Sequence, residues 1–162
     1  MPYTMKVDGM EEISETLTSL SEKAPAVAAM ALYDGAGIIA DEIGKQAKEI
    51  RTEPFRGKVD KRKPSPQEKA IVLNAAKGIA KFEKNGTEVE TSVGFRNAGY
   101  ATLAGKTVPV PKIVNAINSG TSFMTKQPFV RKATTSGGKA AIDAMKEKIN
   151  EEFEKITGGE EE

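Results

Sequence analysis

The side chains able to do chemistry in this chain are carboxylates, lysines, arginines and hydroxyls. None of its 162 residues is histidine, cysteine or tryptophan, which removes the commonest acid–base group and metal ligand, the thiol nucleophile, the disulfide framework and the Cys-type zinc site. Carboxylates can work in pairs as general acid and base, and acidic groupings occur at Glu11-Glu12, Asp41-Glu42 and Glu151-Glu152 with Glu154. All of them fall on the polar faces of helical patterns, where solvated charge is the expected role. Gly35-Ala36-Gly37 lacks the third glycine and the preceding strand of a dinucleotide fingerprint. Ser136-Gly137-Gly138-Lys139 has neither the glycine spacing nor the hydroxyl after lysine of a phosphate loop. These residues predict no catalytic residue, no cofactor and no metal, and the chain is not expected to be an enzyme.

Charge is the more informative feature. The formal net charge of +1 conceals a strong segregation along the chain. Residues 1–50 carry four Lys against nine Asp/Glu, residues 51–64 six basic groups against two acidic, and the last 23 residues three against eight. No Asp or Glu lies between Glu90 and Asp143, a stretch that holds seven Lys/Arg. Separation of this kind bears on association and steering more than on fold. The loop with Arg51, Arg56, Lys58, Lys61, Arg62 and Lys63 is suited to docking on an acidic protein surface and to contacting phosphates, and it is also what a purely solubilising loop looks like. Phe55 is the single aromatic among these charges, and no stacking platform or recognition motif surrounds it.

The elements that must position these charges follow from periodicity. Tyr3 to Val7 alternates like a short strand. Met10, Ile13, Leu17 and Leu20 mark one apolar stripe of a helix, and Pro25 suits the first turn of a second helix reaching Ile50. Gly35 and Gly37 fall inside that helix, where each costs about 1 kcal/mol relative to Ala; close packing of another backbone is the expected reason. Residues 51–64, with two prolines and no apolar period, read as a long mobile loop. Ser65-Pro66-Gln67-Glu68 has the ingredients of a capping box, opening a helix that Gly78 can close. Asn85-Gly86 predicts a two-residue hairpin turn, with Phe82 opposite Val89 and one face continuing through Thr91, Val93 and Phe95. Residues 96–111 read as loop with one further short strand. A short amphipathic helix runs from Lys112 to Asn118 and stops at Gly120. After the Gly137-Gly138 break, Ile142, Met145, Ile149, Phe153 and Ile156 repeat as the narrow seam of a last, long helix.

Together these predict an α+β fold: three or four helices packed on a small, mostly antiparallel sheet. One domain is expected over residues 1–157, followed by an acidic tail at 158–162 without fixed structure. The longest apolar runs fall short of the roughly 20 residues of a membrane span, and the start of the chain lacks a signal-peptide pattern, so folding in the cytosol is expected.

Asn115-Ala116-Ile117-Asn118-Ser119-Gly120-Thr121, followed by Gln127-Pro128-Phe129-Val130-Arg131-Lys132-Ala133 and a long amphipathic helix, resembles the gene-product-ten-like tail-completion or neck (head–tail joining) family of long-tailed bacteriophages. Val7-Asp8-Gly9-Met10 turning into a helix, the Ala-rich second helix, the basic loop, Val93-Gly94-Phe95 and Gly99-Tyr100 keep the same order, so the likeness spans about residues 5–156. Two departures stand out. Asn118 and Ser119 occupy positions where the family commonly has an acidic residue and an aromatic, and Lys132 replaces a proline.

The resemblance implies a structural virion protein without an active site. It would be made in the bacterial host cytoplasm and assemble as a ring in the neck, joining the DNA-filled head connector to the tail. Its partners would be further copies of itself, the adjoining head-closure or connector protein, and the tail-terminator or tail-tube protein, with non-specific contact with channel DNA and no membrane. Gly120, Thr121, Pro128 and Phe129 would shape the corner before the last helix, Phe129 as a buried anchor. Arg96, Lys106, Lys112, Lys126, Arg131 and Lys132 are the candidates for facing acidic residues of a neighbouring copy, and the loop at 51–64 for reaching an adjoining ring or DNA. The alternative function is nucleic-acid binding through that basic loop.

Overall fold

Two antiparallel helices form the long axis of the molecule. The computed structural model describes residues 10–54, 61–75, 78–79, 83–85, 88–95 and 98–158. In it α1 spans Met10–Lys48 and α4 spans Phe129–Thr157. Gly35 lies against Met145, and Gly137 against Ile39 and Glu42, which fixes the antiparallel sense.

Helix α1 is continuous through Pro25, so the two helices expected on either side of that proline are one. A proline inside a helix removes a hydrogen bond and clashes with the preceding turn. Here the apolar stripe stays in phase across it: Leu17, Leu20, Ala24, Val27 and Ala31 follow one another at three- and four-residue steps, so a single helix keeps them all on one line. Helix α4 likewise runs through Gly137-Gly138 without a break. A Cβ on Gly137 would come within 3.3 Å of Ile39 and Glu42, so that glycine serves the helix crossing.

Between the long helices in sequence lie α2 (Pro66–Asn74), β1 (Gly78–Ile79), β2 (Glu83–Asn85), β3 (Glu88–Glu90), β4 (Val93–Gly94), β5 (Tyr100–Leu103), β6 (Lys106–Pro109) and α3 (Val110–Ser119). The fold is α+β, and among the described residues its strands pair antiparallel in two-stranded ladders, β1–β4, β2–β3 and β5–β6. Gly78 belongs to β1 and does not close α2, whose last turn is finished at Ala75 by its N–H donating to the Val72 carbonyl.

The β2–β3 register differs by two residues from the expected one: Asn85 pairs with Glu88, and Lys84 rather than Phe82 pairs with Val89. The ladder takes Asn85 in as a paired residue, so the expected Asn85-Gly86 turn is not the one formed. Phe82 lies outside the described residues, as do the strand expected at residues 3–7 and the acidic tail from residue 159.

The β5–β6 hairpin was visible only as one strand in the sequence. Its connection is Ala104-Gly105, both with positive φ, 49° and 76°. Left-handed backbone at both loop positions is what a type I′ turn requires, and alanine is a poor advertisement for it.

The core gathers where these pieces meet the C-terminal half of α1. Ile43, Val72, Ile117, Phe95 and Phe129 are buried there, with Ala47 and Ala133 letting α1 and α4 approach. Phe95 and Phe129 meet edge to face at 6.2 Å between ring centres, a preferred aromatic geometry.

Gly35 and Gly37 separate into two cases. A Cβ on Gly35 would sit 2.7–2.8 Å from Met145 Cε and Cγ, whereas one on Gly37 would meet nothing within 4 Å. Gly37→Ala is therefore expected to stabilise the fold by about 0.5–1 kcal/mol, and Gly35→Ala to destabilise it by about 1–3 kcal/mol through overpacking. Urea denaturation of the two variants beside the wild type checks both signs.

Candidate functional site

The α3–α4 corner is the segment that carries both the motif and the cations, and it is built by local hydrogen bonds. Helix α3 stops at Gly120, whose φ is +75° and whose missing Cβ would press on the Lys126 backbone and Cβ at 3.0–3.2 Å. Any side chain there meets strain twice. Thr121 folds the next residues back: its Oγ1 accepts from the N–H groups of Phe123 and Met124, and its own N–H donates to the Met124 carbonyl. Gln127 N–H donates to the Ile117 carbonyl at 2.8 Å.

Pro128 then leads into α4, whose first turn has no side-chain cap of its own. The cap comes from α3 instead, because Asn118 Oδ1 accepts from Val130 N–H at 3.2 Å, satisfying one of the orphan donors of a helix N-terminus. Phe129 is buried at 3% exposure and pins the corner to the core.

This corner is tied to the basic loop on two sides. Gln127 grips Arg51 by its backbone: Arg51 N–H donates to Gln127 Oε1 and Gln127 Nε2 donates to the Arg51 carbonyl, both at 2.8 Å. Arg62 N–H donates to the Phe123 carbonyl and Thr125 N–H to the Arg62 carbonyl, forming a short parallel bridge to residues 123–125. Glu53 spans the loop itself, its N–H donating to Pro64 and its carboxylate accepting from Lys63 N–H. The expectation of a mobile loop over 51–64 is thus corrected at both ends, where the backbone's hydrogen-bonding groups are engaged. Residues 55–60, with Arg56 and Lys58, lie outside the described residues, as does Arg96.

The structure also changes the role of Arg62. Its guanidinium makes a bidentate pair with Glu68, Nη1 to Oε2 and Nη2 to Oε1, both 2.7 Å. Glu68 is 4% exposed and closes the capping box of α2, its carboxylate accepting from Ser65 N–H while Ser65 Oγ accepts from Glu68 N–H. Arg62 is therefore a structural cation, not one offered to a partner. Burial is the largest single influence on the Glu68 carboxyl and pushes its pKa up, but the hydrogen bonds from Arg62 and Ser65 outweigh it and hold it below the ordinary value.

Lys69, which the sequence did not single out, donates from Nζ to the carbonyls of Lys48 and Ile50 at 2.6 and 2.8 Å. It satisfies the carbonyl end of α1 with a positive charge, where the helix dipole favours one.

The other candidate cations stand apart from such pairing. Lys61, Lys63, Lys106, Lys112, Lys126, Arg131 and Lys132 are exposed, and the side chains of all seven lack an ion-pair partner among the described residues. The acids that are paired find cations elsewhere: Glu42 with Lys45, Glu68 with Arg62, Glu151 with Lys148, and Glu152 with Lys148 and Lys155. Glu42 also accepts from Gln46 one turn along α1 and from Ser136 across the α1–α4 contact, and these hydrogen bonds lower its pKa. Folding thus leaves the cations of 106–132 unneutralised among the described residues. Arg131 and Lys132 border a shallow groove with Gln46, Pro128, Thr135 and Ser136; Lys126 precedes it on the same corner, while Lys106 and Lys112 belong to β6 and α3. Among the described residues no group of three or more acidic side chains is placed to hold a metal ion.

No protein-family model, curated protein or solved structure matches this chain.

Removing the Glu68 charge leaves the Arg62 guanidinium without its anion in a mostly buried position, a change that costs about 3–5 kcal/mol, so Glu68→Gln is expected to lower stability by that order. The pH dependence has a definite sign. A carboxyl whose folded pKa lies below its unfolded value, about 4.3, stabilises fully above that value and loses the contribution as pH falls through the folded pKa. Wild-type stability should therefore drop below about pH 4.3, and the Glu68→Gln variant should show a shallower drop in urea midpoints measured over that range.

Proposed function

We propose that this chain is a structural protein of the neck of a tailed bacteriophage or prophage, assembling as a ring that joins the head connector to the tail. The observation that carries the reading is the fixed α3–α4 corner with its unneutralised cations. The residues that resemble the head–tail joining family are those that build this corner, and they present Lys126, Arg131 and Lys132 on a rigid support. Asn118 adds to this. It stands where the family commonly has an acid, and an amide oxygen caps α4 as a carboxylate oxygen would.

Head-to-tail contacts close into rings when the rotation per subunit allows it. A chain with cations left over on one surface and acids left over on another is suited to them, since complementary charge steers encounter and fixes orientation more than it adds affinity. On this reading the partners are other copies of the chain and the adjoining connector and tail-terminator or tail-tube proteins, and the location is the virion. No described helix is long and apolar enough to cross a membrane. Nucleic-acid binding through the basic loop is the second reading, supported by Lys61 and Lys63, which stay exposed at the loop's described end.

Negative-stain micrographs and native mass spectra of the purified protein are expected to show ring particles. Their yield should fall as salt is raised from about 0.05 to 0.5 M, because screening lengths shrink below about 10 Å beyond 0.1 M. The triple variant Lys126→Glu, Arg131→Glu, Lys132→Glu should keep its helical circular dichroism and assemble at least about tenfold more slowly. Ring yields indifferent to salt and to charge reversal would count against the electrostatic part of the reading. Retention of duplex DNA at physiological salt without rings would favour the second function.

The loop gives a separate test. Replacing Arg51, Arg56, Lys58, Lys61 and Lys63 by Ser should spare folding and reduce joining of heads to tails, whereas adding Arg62→Ser should destabilise the chain itself by about 3–5 kcal/mol.

A further inference from the structure

We infer that the N-terminal part of α1 is an arm that docks along the exposed edge of α4 in a neighbouring copy. The inference rests on the proposal that the chain assembles with itself, and it names the surfaces that meet.

The arm follows from the register of the two long helices. Gly35 faces Met145 and Gly137 faces Ile39 and Glu42. Continued in antiparallel sense, the end of α4 at Thr157 reaches the level of about residue 23 of α1. Residues 10–22 of α1 therefore extend past their partner helix, a length of about 20 Å at 1.5 Å per residue. The stripe that α4 covers farther along α1 continues into this segment through Leu20 and Leu17 at three- and four-residue spacing, and Leu17 is 61% exposed.

The acceptor is on α4. Its seam of Ile142, Met145, Ile149, Phe153 and Ile156 is only half used by α1: Met145 packs on Gly35, while Ile142 and Phe153 remain 50% and 37% exposed. The edge from Ile142 to Ile156 is about 21 Å long, the length of the arm.

Charge points to the same pairing. Lys132, Lys139 and Lys146 repeat every seven residues and so form one row on α4. That row runs beside the apolar edge, since Lys139 and Lys146 stand three and four residues from Ile142. All three are exposed and lack ion-pair partners among the described residues. The arm is acidic in sequence, with no cation between Met10 and Glu22. Its Glu15 and Glu22 are exposed and also lack ion-pair partners among the described residues. One chain thus carries an acidic, leucine-striped arm and an apolar edge of equal length whose N-terminal part is flanked by lysines, and the arm cannot fold back onto its own edge because it continues α1 away from the end of α4 in the antiparallel pair. The occupant that fits is a second copy.

The absence of cysteine makes the test direct. Leu17→Cys and Ile149→Cys, near the midpoints of arm and edge, are made as separate variants, mixed, and oxidised under assembling conditions. Within one chain these levels lie about 20 Å apart, far beyond the span of a disulfide, and mixing restricts the product to an inter-chain bond. The expected result is a disulfide-linked heterodimer of the two variants in excess of either homodimer. In parallel, Leu17→Asp should retain helical circular dichroism and weaken self-association at least about tenfold. Lys139→Glu with Lys146→Glu should weaken it as well, with partial rescue by Glu15→Lys with Glu22→Lys on the arm.

Rings that form without the cross-link and are unaffected by Leu17→Asp would overturn the arm contact and leave the ring proposal standing. A cross-linked closed pair of chains would support the contact and overturn the ring. A wild-type chain that stays monomeric at millimolar concentration would overturn both.

Discussion

The Glu68 carboxylate is the point through which the central region is tied together. It accepts from both arms of Arg62 and from the Ser65 backbone, so one buried anion ends the basic loop, starts α2 and holds the strip at Arg62 that bridges to residues 123–125. From there Thr121 and Gln127 carry the constraint to the α3–α4 corner and back to Arg51. Replacement of such a pair by apolar groups is often neutral in stability, whereas loss of one partner is not. What the pair confers here is position: it sets where the exposed cations on either side of it stand.

Much of this was legible in the sequence, and the misses share a physical cause. The capping box at Ser65 to Glu68, the amphipathic α3 and the seam of α4 depend on spacing within a few residues, which a linear pattern records. The bidentate partner of Glu68 and the caps supplied by Asn118 and Lys69 depend on chain segments brought together only by folding. Pro25 and Gly137-Gly138 read as breaks because local propensity disfavours them inside helices, and tertiary packing along the α1–α4 contact overrode it. Ala104 hid a hairpin for the opposite reason: the turn is there, but its residue is not one that prefers the left-handed region.

The charge pattern kept its meaning after folding, in a more specific form. Among the described residues, the acidic terminal segments and the basic middle do not cancel within the chain. The neutralised acids are those of the α1–α4 pair and the α2 cap, and most of their cations come from the same helices. The basic stretch from Lys106 to Lys132 has no acid of its own in sequence and acquires none from the packing of the described residues. The segregation in the sequence is thus left largely unpaired by the packing of the described residues, a property that acts on encounters between molecules.

Pro25 gives α1 one more property. It falls within about two residues of the level at which α4 ends and α1 continues alone, and it deletes one rung of the helix's hydrogen-bond ladder there. Bending stiffness in a helix comes from that ladder and from lateral support, and both drop at the same place. The helix is therefore a lever with its fulcrum built in. Its N-terminal length can change angle without disturbing the packing of Ile43, Ile117 and Phe129, so the geometry between neighbouring molecules can adjust while each core stays as it is.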